Sequence, residues 1–175
     1  MSIKTLVKLG VILAGYVIAF LAAWTAVYIG QRHRPDTWVQ ASAGMYAFGD
    51  TLLFAAVCGF IALFPTALAL YFLRSFQTFW AIFSTACLAL AVTGPIAAFV
   101  YMFASGRALP PFWTLPVFFS ILRVLGSPLF AAAFLMSAFL APARRSRWLL
   151  LGAAAIECAV SAFVFVHFFA PYRLF

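Results

Sequence analysis

Five long apolar runs, separated by short polar or proline-bearing stretches, organise the chain. The first follows Lys4 and Lys8 and continues without a charge through residues 11–29. Residues 31–44 are polar and carry Pro35, which stops a helix by removing a donor and crowding the preceding turn. Apolar sequence resumes at Met45, turns at Arg74 and Ser75, and resumes again up to Ala104. Residues 106–111, GRALPP, end that run, and APARRSR at residues 141–147 ends the next. Each run has the ~20 residues a helix needs to cross the hydrocarbon layer. The pattern therefore predicts an all-α integral membrane protein: a bundle of five transmembrane helices over residues 9–30, 45–73, 76–104, 112–141 and 148–170. No soluble domain is expected, and residues 1–175 read as a single transmembrane domain.

Within the first run, Gly15, Ala19, Ala22 and Ala26 share one helical face, where small residues let a second helix approach closely. The apolar core of this run exceeds the 7–15 residues of a cleaved signal peptide, so a retained anchor is expected. Contact of Gly15, Ala19 and Ala22 with another chain would favour a subunit role. Pro65, Pro95 and Pro128 lie inside three consecutive runs and predict kinks, since each deletes a backbone hydrogen bond.

Basic residues suggest the orientation. With the N-terminus inside, Lys4, Lys8, Arg74, Arg144, Arg145 and Arg147 face inward, and Arg32, Arg34, Arg107 and Arg173 face outward. Six against four favours N-terminus inside and C-terminus outside. Trp80 and Trp148 fall near inner boundaries and Trp38 and Trp113 near outer ones, as an aromatic belt would place them.

Composition narrows the class. The chain is 67% hydrophobic and 8% charged, with a mean hydropathy of +1.13. A water-facing surface needs about 25% charged residues, so a soluble fold is excluded. The net charge of +8 would point a soluble protein toward nucleic acid; here it reflects orienting loop arginines, and no nucleic-acid partner is expected. Cys58, Cys87 and Cys158 stand singly in apolar runs, unlike a redox pair or metal knuckle.

The candidate chemistry is confined to a few polar residues inside the runs. Counting ~1.5 Å per residue along straight helices puts Arg123 ~27 Å above the inner end of its span and His167 at ~28 Å. Asp50 falls near the outer interface, and Arg123 is expected to lean toward its own N-terminus and so toward Asp50. The predicted site is an Asp50–Arg123–His167 cluster, with Ser120 and Ser127 as a polar stripe on the Arg123 face. Glu157, at ~14 Å counted from Trp148, reads as separate: a candidate proton or ion site, or an acid hydrogen-bonded to hydroxyls such as those of Ser84 and Thr85.

No catalytic residue, metal site or cofactor is implied. Three acidic residues, two histidines and no GxSxG or HExxH motif argue against an enzyme. A haem would have only His33 and His167 as imidazole ligands. The expectation is a non-catalytic subunit, assembly factor or scaffold of a membrane complex in a bacterial-type inner membrane. Its partners would be the lipid bilayer and helices of other subunits or of a second copy. The alternative is a small transporter or ligand- or lipid-binding protein using Glu157 and the Asp50–Arg123–His167 cluster.

Overall fold

The computed structural model describes residues 3–32, 43–104 and 110–169. Arg34, Trp38, Arg107, Arg173 and His33 lie outside these residues, as does the side chain of Lys4. The described residues form α1 (Ile3–Arg32), α2 (Ala43–Phe72), α3 (Gln77–Ala104), a short 3-10 turn (Pro111–Trp113), α4 (Thr114–Leu125), α5 (Ser127–Leu140) and α6 (Arg144–Phe169). No strand occurs among them. Such long helices follow from the apolar runs: a backbone in hydrocarbon must satisfy its own polar groups, and the helix does so locally. Four helices are long and apolar enough to cross a membrane, or five when the bent pair α4–α5 is counted as one.

The chain divides into two compact units, Met1–Tyr71 and Phe72–Phe175. In the first, α1 and α2 form an antiparallel pair. A Cβ added to Gly15 would stand 2.8 Å from the Cβ of Pro65, so only glycine admits the proline ring there. Beside that contact, Tyr16 and Thr66 share a hydroxyl hydrogen bond of 2.8 Å. At the other end of the pair, Gln31 Nε2 donates to Asp50 Oδ2 at 2.9 Å. Ala19 and Ala23 are fully buried. The small-residue face is thus engaged inside the chain at Gly15.

The second unit is built on α6, which packs against both α3 and α5, while α4 packs on α3. The buried positions of α3 include the series Trp80, Ser84, Cys87, Ala91, Gly94 and Ala98, with Ala97 beside it. Those of α6 include Ser146, Leu150, Ala153, Glu157 and Val160, at the same alternation of three and four residues, with Ala154 beside them. This is the heptad-like spacing of helices packed at a shallow angle, and small residues on both faces bring the backbones close. Only three residues separate α5 from α6, which makes them antiparallel neighbours. α3 and α6 run parallel: Gly94 faces Glu157 and Val160, and further along both helices Phe99 and Met102 border the same groove as Phe163.

The fourth apolar run is not one straight helix. It breaks at Gly126, and its two halves are inclined at 50°. Pro128 has no N–H to offer the Val124 carbonyl. The Ser127 hydroxyl takes that carbonyl instead, at 2.7 Å, and Gly126 N–H closes the end of α4 on Leu122 O at 2.9 Å. By contrast, α2 and α3 remain helical through Pro65 and Pro95. Trp80 also departs from expectation: it is fully buried rather than turned to headgroups, and its indole donates to Leu73 O at 3.1 Å, closing the turn before α3. Trp148 is 63% exposed, as a belt residue would be.

Candidate functional site

Three helices of the second unit converge on one charged pair. Arg123 is in the last turn of α4, and Glu157 is midway along α6. Arg123 Nη1 donates to Glu157 Oε2 at 3.1 Å, and Nη2 donates to Glu157 Oε1. This two-pronged geometry matches the planar guanidinium to the planar carboxylate. The Glu157 side chain is completely buried and that of Arg123 is 14% exposed.

The rest of the guanidinium is satisfied by α3. Nε donates to Thr93 Oγ1 at 3.0 Å, and Nη2 also donates to the Leu90 carbonyl at 3.0 Å. Thr93 in turn donates to Leu90 O at 2.6 Å. Both residues belong to the turn preceding Pro95. Of the five N–H donors of an arginine, four are therefore engaged. The Phe130 ring of α5 stacks on the guanidinium, with Cζ 4.7 Å from the ring centroid.

Gly94 makes the convergence possible. A Cβ there would lie 3.3 Å from Val160 Cγ2, 3.4 Å from Arg123 Nη2 and 3.5 Å from Glu157 Oε2. One turn away α5 is joined to α6: the Ser127 and Ser161 hydroxyls are 2.8 Å apart, and Ser161 donates to the Glu157 backbone carbonyl at 2.8 Å. Ser120 and Ser127 are both buried, and Ser120 donates to Pro116 O at 2.8 Å. Among the described residues, no buried side-chain nitrogen or oxygen lacks a hydrogen-bond partner.

This arrangement corrects the pairing expected from depth. The acid that answers Arg123 is Glu157. Asp50 belongs to the first unit, where it accepts from Gln31. His167 stacks on Phe163 in the last turn of α6, with centroids 6.2 Å apart, and takes no hydrogen bond from Arg123. Ser84 and Thr85 both donate to Ala81 O rather than to Glu157. Two physical errors had separated Arg123 from Glu157. First, α6 begins at Arg144, four residues before the Trp148 taken as its base, which raises Glu157 by ~6 Å. Second, Arg123 does not lean toward its own N-terminus: its guanidinium sits against Phe130, seven residues C-terminal. The break at Gly126 ends α4 just after Arg123 and opens room on that side.

The sequence reading missed Thr93, Gly94, Phe130 and the Leu90 carbonyl as parts of the site. The one available signal was a threonine and glycine immediately before Pro95. Two open grooves flank α6. One, of about 430 Å³, runs between α3 and α6 past Pro95, Phe99 and Phe163; the other, of about 350 Å³, lies between the α4–α5 break and α6. Only Ser127 and Ser161 bring hydroxyls to their walls, and these bond each other. Among the described residues, no three His, Cys, Asp or Glu side chains converge as metal ligands would. Neither a protein-family model, nor a curated protein, nor a solved structure matches the chain.

Proposed function

We propose that this chain is a five-span protein of a plasma or bacterial-type inner membrane, acting as a non-catalytic subunit, assembly factor or scaffold of a larger membrane complex. The observation that carries the reading is the closed state of the Arg123–Glu157 pair. Its charges and most of its donors are spent on the chain's own helices, and the adjoining grooves are apolar. A transport or ion site needs a polar group that a ligand can reach, and Arg123 and Glu157 spend theirs on each other and on α3. The transporter alternative drew on Asp50, Arg123 and His167 as one cluster, and Arg123 is committed to Glu157 instead.

Five crossings are supported by the parallel course of α3 and α6. A re-entrant α4–α5 would return the chain to the side it left, and α6 would then start at the wrong end. With the N-terminus inside, the turn at Arg74 and the cluster Arg144, Arg145 and Arg147 face the cytoplasm. The face of Gly15 lends the subunit reading no weight, since Pro65 occupies it. The broad exposed apolar surface of α1, including Leu13, Ile18, Leu21 and Trp24, is left for lipid or another chain.

Native mass spectrometry of the protein extracted gently from its own membrane, with an absorbance spectrum of the same sample, tests the proposal. Stoichiometric partner chains are the expected result. A solitary chain or a homo-oligomer would overturn it.

A further inference from the structure

We propose that the end of the second unit where α3 and α6 begin is a binding surface for the phosphate headgroups of anionic phospholipids. The inference rests on the chain spanning a membrane, but on neither its orientation nor its partner chains. Arg74 occupies the turn just before α3, and Arg144, Arg145 and Arg147 form the first turn of α6. Because α3 and α6 run parallel, both groups stand at the same end. All four arginines are exposed.

Among the described residues of the second unit, no acidic side chain stands at this end. The three acidic residues of the sequence are Asp36, Asp50 and Glu157. Glu157 lies ~20 Å up α6 and is held by Arg123. Asp50 belongs to the other unit with Gln31, and Asp36 is outside the described residues. Arg147 donates to Ala141 O at 3.1 Å, which closes the turn after α5. Among the described residues, Arg74, Arg144 and Arg145 have no hydrogen bond, ion pair or ring contact. Their presence at the start of α6 does not serve the helix, whose N-terminal end already carries positive partial charge. An external anion meets both demands.

The level of the cluster selects a lipid over other anions. Arg147 is immediately followed by the exposed Trp148, where the apolar part of α6 starts. Indole rings favour the membrane–water boundary. The guanidiniums are thus one helical turn or less beyond the hydrocarbon edge, at the depth of lipid phosphodiesters, and a planar guanidinium binds phosphate by two parallel hydrogen bonds.

The test compares retention of phosphatidylglycerol and phosphatidylcholine of equal chain length on the purified full-length chain by native mass spectrometry. The variants are R74Q, R144Q and R145Q, singly and together, with Arg147 kept because it closes the turn. Preferential retention of phosphatidylglycerol is expected, weakening roughly fivefold for each arginine removed. Equal retention of the two lipids, or undiminished phosphatidylglycerol retention in the triple variant, would overturn the proposal. Competition by inorganic phosphate alone, or tighter binding of an oligonucleotide than of lipid, would overturn the lipid assignment as well. The membrane reading itself is checked separately by alkaline extraction: a chain released from membranes would sink that reading, whereas a retained chain without lipid preference would sink only this inference.

Discussion

Arg123 and Glu157 join the bent helix pair α4–α5 to the helix at the centre of their unit. Arg123 belongs to α4, which packs on α3, and Glu157 to α6, which packs on α5. The guanidinium also bonds Thr93 and Leu90 of α3, so one side chain ties three helices where the chain bends by 50°. The pair is a clasp that holds the bend.

Removing one partner leaves a buried ion without its counter-charge. Glu157→Ala and Arg123→Ala are each expected to lower stability by about 3–5 kcal/mol. The double replacement R123L/E157L should recover most of that loss, because two apolar side chains of similar size need no partner in lipid. Arg123→Lys should recover only part, since one ammonium cannot bond both carboxylate oxygens, Thr93 and Leu90 together. Thermal unfolding in detergent measures all four. A double variant as unstable as the worse single one would show that the pairing is not what stabilises the bend.

Of the described glycines in the first unit, Gly15 is the one against which a neighbour packs most closely, and that neighbour is Pro65. Gly15→Ala forces the Pro65 ring to move from a Cβ that would be 2.8 Å away, and a cost of about 1–3 kcal/mol is expected. Pro65→Gly removes that Cβ together with the ring, so the double variant should cost clearly less than the sum of the singles. A double-mutant cycle by denaturation reads this coupling directly. Strict additivity would mean that the two residues do not meet.

The two serines of the clasp are predicted to be unequal. Ser161→Ala breaks one interhelical hydroxyl contact, worth about 0.6 kcal/mol in membrane helices. Ser127→Ala breaks the same contact and also strips the Val124 carbonyl of the donor that stands in for the missing N–H of Pro128. A loss of about 1–3 kcal/mol is expected for that orphaned carbonyl. Amide exchange over residues 122–130 should therefore accelerate in Ser127→Ala and remain nearly unchanged in Ser161→Ala. The reverse order would remove Ser127 as the support of the break.

The helices themselves were legible, and for a plain reason. Apolar runs of 20 and more residues have no alternative to internal backbone bonding in hydrocarbon, so the structure departs from the expected span ends by a few residues in most cases. The first helix starts at Ile3 and the last at Arg144, each earlier than expected, because lysine and arginine stems can lie along a helix whose charged heads stay in water. The break at Gly126 was half legible: Pro128 marked the place, yet Pro65 and Pro95 carry the same mark and leave their helices continuous. Gly126 and Ser127 let the chain change direction with its carbonyls still bonded, but Thr93 and Gly94 stand beside Pro95 in a helix that stays continuous, so the local residues alone do not mark the break.

By itself the sequence determined that the chain forms helices long and apolar enough to cross a membrane, that charge is scarce inside them, and that Arg123 and Glu157 needed an explanation. Only the tertiary structure decided that they explain each other. Depth along a straight helix is one coordinate, and a contact between helices needs three: height, the direction each residue faces, and the tilt of the helix carrying it. The bend at Gly126 changes the tilt, the reach toward Phe130 reverses the expected direction, and the start of α6 at Arg144 corrects the height. Each depends on packing between residues distant in sequence, and none is written in the spacing of any one run.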